Sequence, residues 1–272
     1  MKGWRTLETK QDLINAIKKR GIIMNQTIIN GDCLTVLKEM PDESFDLIIS
    51  DPPYKTRCSR AKLTERGTST DRLRNRCVKK NIDEDNRVLA ETGQFIGQIP
   101  PFEAWLPEVY RVLKKNSHAY FMLKACHLKE FQTKAEAVGF KFQNLLVWAK
   151  QNATPNKFYM QKGEFILMLR KGKERYINDM GMENIFFVRN PVGKKFHPTE
   201  KPVELMRKMI EQSTNACDKV LDPFLGAGAA LIACEECHRI GVGIEIVKRF
   251  CDVAHTRLEK TTPDYIQGGL LE

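Results

Sequence analysis

Four consecutive residues, Asp51-Pro52-Pro53-Tyr54, close the apolar run Phe45-Asp46-Leu47-Ile48-Ile49-Ser50. Two adjacent prolines remove two backbone donors and fix two φ angles, so a strand must end here in a stiff turn. Asp51 precedes a proline and is therefore held extended, with its carboxylate at the strand's tip. Pro52 adds a carbonyl that no continuing strand recruits, and Tyr54 adds an aromatic face. Acceptor, carbonyl and ring together suit a flat heterocycle bearing an amino group. The plainer alternative is a strand-ending turn with a solvated Asp.

A second chemical cluster lies far along the chain, in Asp222-Pro223-Phe224-Leu225-Gly226-Ala227-Gly228. Glycines at a strand-to-helix turn let the backbone approach a ligand closely, and the helix that follows offers free N–H groups. The next strand, Gly241-Val242-Gly243-Ile244-Glu245, ends in a carboxylate placed to grip the two hydroxyls of a ribose. Gly-x-Gly alone says little; with Asp222 before it and Glu245 after it, the set points to a nucleoside cofactor. A tight turn with a solvated Glu is the competing reading.

These residues need a scaffold, and the hydrophobic pattern supplies one. Thr9–Arg20 shows helical spacing at Leu13, Ile14 and Ile17. Strands are expected at Gln26–Asn30, Phe45–Ser50, Ala119–Leu123, Asn144–Ala149, Phe165–Leu169, Lys219–Asp222 and Ile240–Glu245. Between them, Gly31-Asp32-Cys33 turns into a helix through Leu37, and Pro101–Leu113, Leu128–Val138, Val203–Gln212, Ala227–Glu236 and Lys248–Leu258 read as helices. Pro202 falls where a helix favours its first residue, and Pro107 is a candidate bend. Apolar strands alternating with helices predict an α/β fold with a mostly parallel sheet covered on both faces.

The chain's 272 residues suffice for one large domain. No apolar run is long enough to span a bilayer, and the polar start is no secretory signal. Eight scattered cysteines in so long a chain read as reduced thiols of a cytoplasmic protein. Cys234-Glu-Glu-Cys237-His238 lacks the second ligand pair of a zinc site, so Cys234 is read as helix packing and no metal is expected. His118 and His127 are read as ordinary fold residues. The net charge of +10 is concentrated: residues 55–80 hold ten Lys or Arg against two acids, or +8, starting directly after Tyr54. A solvated loop is the usual meaning of such a run. Its lack of apolar periodicity and its place beside Asp51 favour contact with a polyanion.

The three elements Asp51-Pro-Pro-Tyr54, His197-Pro-Thr-Glu-Lys-Pro202 and Asp222-Pro-Phe-Leu-Gly-Ala-Gly228, in this order, resemble the amino-methylating DNA methyltransferases that use S-adenosylmethionine. Because the Asp-Pro-Pro-Tyr element precedes the glycine loop, the resemblance is to their β, or permuted, group. It covers roughly residues 25–260, with weaker matches at Gly31-Asp32-Cys33, Glu108-Val-Tyr-Arg-Val-Leu-Lys114, Val147-Trp148-Ala-Lys150 and Glu164. The implied fold is a Rossmann-like methyltransferase domain with a seven-stranded type of sheet in circularly permuted motif order. Residues 1–24 would then be an N-terminal helical extension and 261–272 a tail.

By this resemblance Asp51, Pro52, Pro53 and Tyr54 form the catalytic element. Asp222, Phe224, Gly226 and Gly228 line the cofactor's methionine and sugar, Glu245 takes the ribose hydroxyls and Ile246 lies against the adenine. Asp32 and Cys33 match the element reading that adenine's edge. His197, Thr199 and Lys201 match the element near the cofactor's carboxylate, and Asp51 also borders the cofactor. Glu200 departs from the family's usual Gln, and Ala229 from its usual Ser or Thr after the glycines. The implied partner is duplex DNA, from which the target base is flipped to stack on Tyr54.

An initial Asp favours adenine-N6 over cytosine-N4 as the target, since the cytosine-amine enzymes more often begin with Ser. No Pro-Cys nucleophile element for ring-carbon methylation is present. The stretch 171–196 is short for a target-recognition region, so the 55–99 insertion, Asn152–Lys162 and the N-terminal helix are the candidates for recognition. Lys55, Arg57, Arg60, Arg72, Arg74 and Arg76 are the candidate DNA contacts. RNA- or protein-amine methyltransferases also use a Pro-Pro-Tyr platform but in the opposite motif order. An inactive DNA-binding subunit is the remaining alternative. The resemblance further implies a cytoplasmic, nucleoid-associated protein of bacterial or phage origin. Relatives in this group are often dimers, and no interface is legible in the sequence.

Overall fold

A computed structural model of the chain describes residues 26–53, 99–155, 158–190 and 200–261. The Thr9–Arg20 helix, Tyr54, the basic residues Lys55, Arg57, Arg60, Arg72, Arg74 and Arg76, and His197 and Thr199 lie outside the described residues.

The elements in chain order are β1 (Thr27–Asn30), α1 (Cys33–Glu39), β2 (Phe45–Ser50), α2 (Phe102–Val112), β3 (Leu113–Leu123), α3 (Ala125–Val138), β4 (Lys141–Thr154), β5 (Gln161–Lys171), β6 (Ile185–Phe186), α4 (Val203–Ser213), β7 (Lys219–Asp222), α5 (Ala229–Glu236), β8 (Ile240–Glu245) and α6 (Lys248–Thr261). They build one eight-stranded sheet in the order β1-β8-β7-β2-β3-β5-β4-β6. The pairs from β1 through β3 are all parallel, β5 runs antiparallel to β3 and β4, and β6 is parallel to β4. The strand beyond the expected seven-stranded type is β6, whose two residues pair with Val147 and Trp148.

Alternation along the strands sorts the two faces. Phe45, Ile48, Ala119, Phe121, Leu123, Leu167, Leu169, Leu221 and Ile244 meet the apolar stripes of α1, α2 and α3, where Trp105, Leu106 and Phe131 are buried. Leu47, Ile49, Tyr120, Met122, Leu146, Trp148, Ile166 and Met168 face α4 and α5 instead. Leu225, Leu231 and Ala254 form a smaller cluster that seats α6. Pro107 is accommodated within α2, and Pro202 occupies the cap of α4 rather than its first turn.

The strand direction decides where chemistry can occur. From β7 the chain crosses through α5 to β8 on one side, and from β2 through α2 to β3 on the other. A crevice therefore opens at the carboxyl ends of β2 and β7, the usual ligand position in such sheets. Asp51 follows β2 and Asp222 ends β7, so both stand at that crevice. The β4–β5 hairpin turns at the same edge, because β4 runs in the direction of β3 and β2.

His118 and His127 have fold roles. The His118 ring lies between Ser213 Oγ at 2.8 Å and the Arg175 carbonyl at 3.0 Å. Burial first of all lowers its pKa to about 4, so it is neutral. His127 packs edge-on against Phe102 and faces Glu130. Cys234 is fully buried against α4 and β7, and the Cys237 thiol donates to the Ala233 carbonyl of its own helix. Cys33, Cys217, Cys234, Cys237 and Cys251 are free thiols. Cys126 corrects the expectation of eight reduced cysteines, for it is disulfide-bonded. No helix among the described residues is long and apolar enough to cross a membrane.

Candidate active site

The stiffness expected of Asp51-Pro52-Pro53 is matched by burial: both prolines are buried at the end of β2. The neighbouring strand is tied to it. Ser50 Oγ donates to Asp222 Oδ1 at 2.7 Å, and the Phe224 amide donates to the same oxygen at 3.0 Å. Asp222 has lost its water, and this burial raises its pKa to about 7 despite those two donors; Asp51 and Glu245 nearby push the same way.

Asp51 itself is held by an ammonium. Lys201 Nζ stands 2.7 Å from Asp51 Oδ2 and 3.3 Å from Glu164 Oε2. Glu164 is gripped on its other oxygen by Lys150, whose ammonium also lies 4.8 Å from the centre of the Trp148 ring. The second oxygen of Asp51, Oδ1, is buried and has no hydrogen-bond partner among the described residues. Burial raises the pKa of Asp51, and Lys201 opposes that rise. Burial would raise Glu164 too, but Lys201 and Lys150 together outweigh it and hold Glu164 below its ordinary value.

The second half of the site is a backbone cradle. Gly226 N–H donates to Glu245 Oε2 at 2.9 Å and Val247 N–H to Oε1 at 2.8 Å, which pulls the glycine loop over the end of β8. Burial raises the pKa of Glu245, opposed by these backbone donors. Gly226 has φ +56°, and a Cβ built there would meet nothing within 4 Å. Gly228 has φ +85°, but its Cβ would stand 2.8 Å from that of Ala254. The two glycines therefore do different work: Gly226 leaves open space above the loop, while Gly228 lets α6 pack closely.

Phe224 packs edge-on against Trp105, with ring centres 5.0 Å apart. Asp32 caps α1, its carboxylate accepting from the Leu34 amide at 3.1 Å, and Cys33 turns into the core, where burial pushes its thiol up to about 12. Asn30, which sequence reasoning passed over, donates to the Glu245 and Ile246 carbonyls at 2.9 and 3.1 Å. It thereby joins the Asp32 turn to the end of β8. Ile246 is 53% exposed and presents an apolar surface beside Glu245.

Glu200, the departure from the family's Gln, faces Arg257 of α6 at 2.7 Å. Arg257 in turn donates to the Ala227 carbonyl at 2.6 Å, so the acid is balanced and the segment before α4 is tied to the glycine loop. The resemblance implied a place for Lys201 at the cofactor's carboxylate; here its ammonium is engaged by Asp51 and Glu164.

A mostly parallel sheet whose switch-point crevice holds a proline-stiffened carboxylate beside a glycine loop and a strand-end acid has the layout of a nucleotide-type binding fold. Comparison with known proteins gives the family. Residues 45–256 match the DNA methylase family model N6_N4_Mtase, and the chain belongs to that family. It is 28% identical over 264 residues to the type II methyltransferase M.HinfI of Haemophilus influenzae, covering 88% of this chain and 69% of that one. It is 27% identical to the type II methyltransferase M2.DpnII of Streptococcus pneumoniae, covering 90% and 97%. Among solved structures, the M1.HpyAVI–SAM complex has a TM-score of 0.61 at 24% identity, covering 86% of this chain and 99% of that one. The cytosine-N4-specific PvuII DNA methyltransferase has a TM-score of 0.63 at 17% identity, covering 89% and 92%. The protein is thus a DNA methyltransferase with a Rossmann-like fold.

Proposed function

We propose that this protein methylates the exocyclic N6 amine of adenine, flipped out of duplex DNA, with Asp51 as the residue that prepares the amine. The observation that carries the amine chemistry is the buried Oδ1 of Asp51 at the switch-point crevice, which has no hydrogen-bond partner among the described residues; the choice of adenine rests on the Asp that opens the motif. An amino hydrogen is the group that Oδ1 lacks.

The residues fit S-adenosylmethionine on their own chemistry. Glu245 has the acceptor set for a ribose diol, Gly226 leaves open space, and the first turn of α5 offers amide donors to a carboxylate. Asp222 suits a neighbouring cation. When bound there, S-adenosylmethionine would supply an electrophilic sulfonium methyl, whose bonding electron pair stays with the sulfur.

An adenine amine is a poor nucleophile because its lone pair is delocalised into the ring. Asp51 Oδ1 accepts one amino hydrogen and the Pro52 carbonyl the other, which favours a pyramidal nitrogen with its lone pair aimed at the methyl. The lone pair forms the new N–C bond, and the proton that nitrogen sheds leaves by way of Asp51. Fixed acceptors and positioning supply the rate, with no covalent enzyme intermediate. Tyr54, next along the chain, is the proposed stacking partner for the flipped ring.

For DNA contact we propose the basic segment 55–80 together with Asn152–Lys162. The latter holds Tyr159 and Met160, which are 87% and 61% exposed at the tip of the β4–β5 hairpin, on the same sheet edge as Asp51. Aromatic and thioether side chains there suit contact with unstacked bases. The place of action is then the DNA-bearing cytoplasm.

The test is to incubate the protein with cofactor and mixed-sequence duplex DNA and to analyse the digested nucleosides by mass spectrometry. N6-methyladenosine in deoxy form is the expected product; N4-methyldeoxycytidine would overturn the choice of base, and labelled RNA or protein the choice of substrate.

A further inference from the structure

Three charged side chains form a continuous chain with Asp51 at the crevice. Lys150, Glu164, Lys201 and Asp51 alternate in sign from the β4–β5 hairpin to the end of β2. They occupy a regular position in the fold. On the face that packs against α4, β2 presents Leu47 and Ile49, β4 presents Leu146 and Trp148, and β5 presents Met168 and Ile166. One further step of the two-residue period on each strand reaches Asp51, Lys150 and Glu164. The apolar layer thus ends at the crevice in a charged rim, and Lys201 enters it from the segment leading to α4.

The arrangement leaves the two carboxylate oxygens of Asp51 unequal. Oδ2 is committed to an ammonium that is itself buried, whereas Oδ1 has no partner among the described residues. We infer that Lys201, held by Glu164, whose other oxygen is paired with Lys150, is a positioning residue that fixes the Asp51 carboxylate so that Oδ1 is the oxygen offered to the target amine. This rests on the reading of Asp51 as the catalytic acceptor. Lys201 has two fixed anionic neighbours, so its ammonium cannot swing away without leaving one of them unpaired. Such a rim orients Asp51 before either ligand arrives, which is how preorganised acceptors contribute most.

The charged groups facing Asp51 are Lys201 from the segment before α4, Glu164 from β5, Lys150 from β4 and Asp222 at the end of β7. Asp51 must be ionised to accept the amino hydrogen, so kcat rises with pH through its titration. Lys201→Met removes the favourable charge and moves the acid limb of kcat to higher pH. Glu164→Gln removes an anion and moves it to lower pH. These opposite displacements are not what a general loss of packing produces.

The experiment measures cofactor Kd by calorimetry and the pH profile of kcat for wild type, Lys201→Met, Lys201→Arg and the near-isosteric Glu164→Gln. Lys201→Met is expected to keep the cofactor Kd within about threefold while kcat falls on the order of a hundredfold, the scale of one lost preorganised contact. Lys201→Arg is expected to recover part of that loss, and the acid limbs are expected to separate in the directions given. A Lys201→Met enzyme that binds cofactor weakly but turns over normally at saturation would place Lys201 at the cofactor's carboxylate and overturn the inference. Coincident acid limbs in the wild type and Glu164→Gln would overturn it as well. Failure of the broader reading would show separately, as a wild-type protein with no methyl transfer to DNA.

Discussion

Burial makes Asp222 respond to protons at neutral pH. Its pKa lies at about 7, against an ordinary value of 3.8, chiefly because burial penalises the charged carboxylate more than the Ser50 hydroxyl and the Phe224 amide compensate. A native state that keeps the proton longer than the unfolded chain loses stability as pH rises from about 4 to 7. A cationic ligand beside Asp222 reverses the preference, since it requires the charged form. Below pH 7 the carboxyl must give up its proton to meet the cation, and above pH 7 it need not. Cofactor binding is therefore predicted to weaken about tenfold between pH 8 and pH 6, with proton release near pH 7. Calorimetry in buffers of different ionisation heat measures both, and Asp222→Asn should flatten the slope. Equal Kd values at pH 6 and pH 8 in the wild type would remove Asp222 from the cofactor's cation.

At the scale of elements, the two glycines of the loop offer a sharper division than the sequence pattern did. Gly226→Ala places a residue in the left-handed region at a cost of about 1 kcal/mol, with no clash in the protein itself. Gly228→Ala meets the same backbone penalty and drives a methyl into Ala254 of α6, adding about 1–3 kcal/mol of overpacking. Urea denaturation should therefore show Gly228→Ala clearly less stable than Gly226→Ala, whereas cofactor affinity should fall in Gly226→Ala without a matching loss of stability. The strands that were legible were those that carry continuous apolar runs: β2, β7 and β8 occupy the residues expected. The polar start of β3, Lys114 to Ser117, carries no such pattern and falls at the irregularity between the Phe45–Leu113 and Leu47–His118 pairs, held by Lys114 paired to Asp46 at 2.8 Å and by Ser117 opposite Lys171 of β5. Two-residue β6 exists only because Val147 and Trp148 offer it a free edge, a tertiary cause with no local signal. Lys150 and Glu164 were visible as motif fragments. Their partnership with Asp51 follows from extending the period of three strands together, which requires knowing that β2, β4 and β5 share a sheet.

For the whole molecule, the order of the chain and the order of the sheet separate cleanly. The carboxylate element comes early in sequence and the glycine loop late, yet β2 and β7 are adjacent and parallel, so both elements reach one crevice. The fold is indifferent to which half was made first; it requires only that the switch point fall between them. Within this fold, the central claim is that Asp51 serves the methyl acceptor and not the cofactor. The most direct measurement pairs two assays on Asp51→Ala: calorimetric binding of S-adenosylmethionine, and transfer of its labelled methyl to duplex DNA. The account predicts a Kd within a fewfold of wild type and a loss of turnover of about a thousandfold or more, as for a removed catalytic acceptor. Substantial turnover in Asp51→Ala would contradict it.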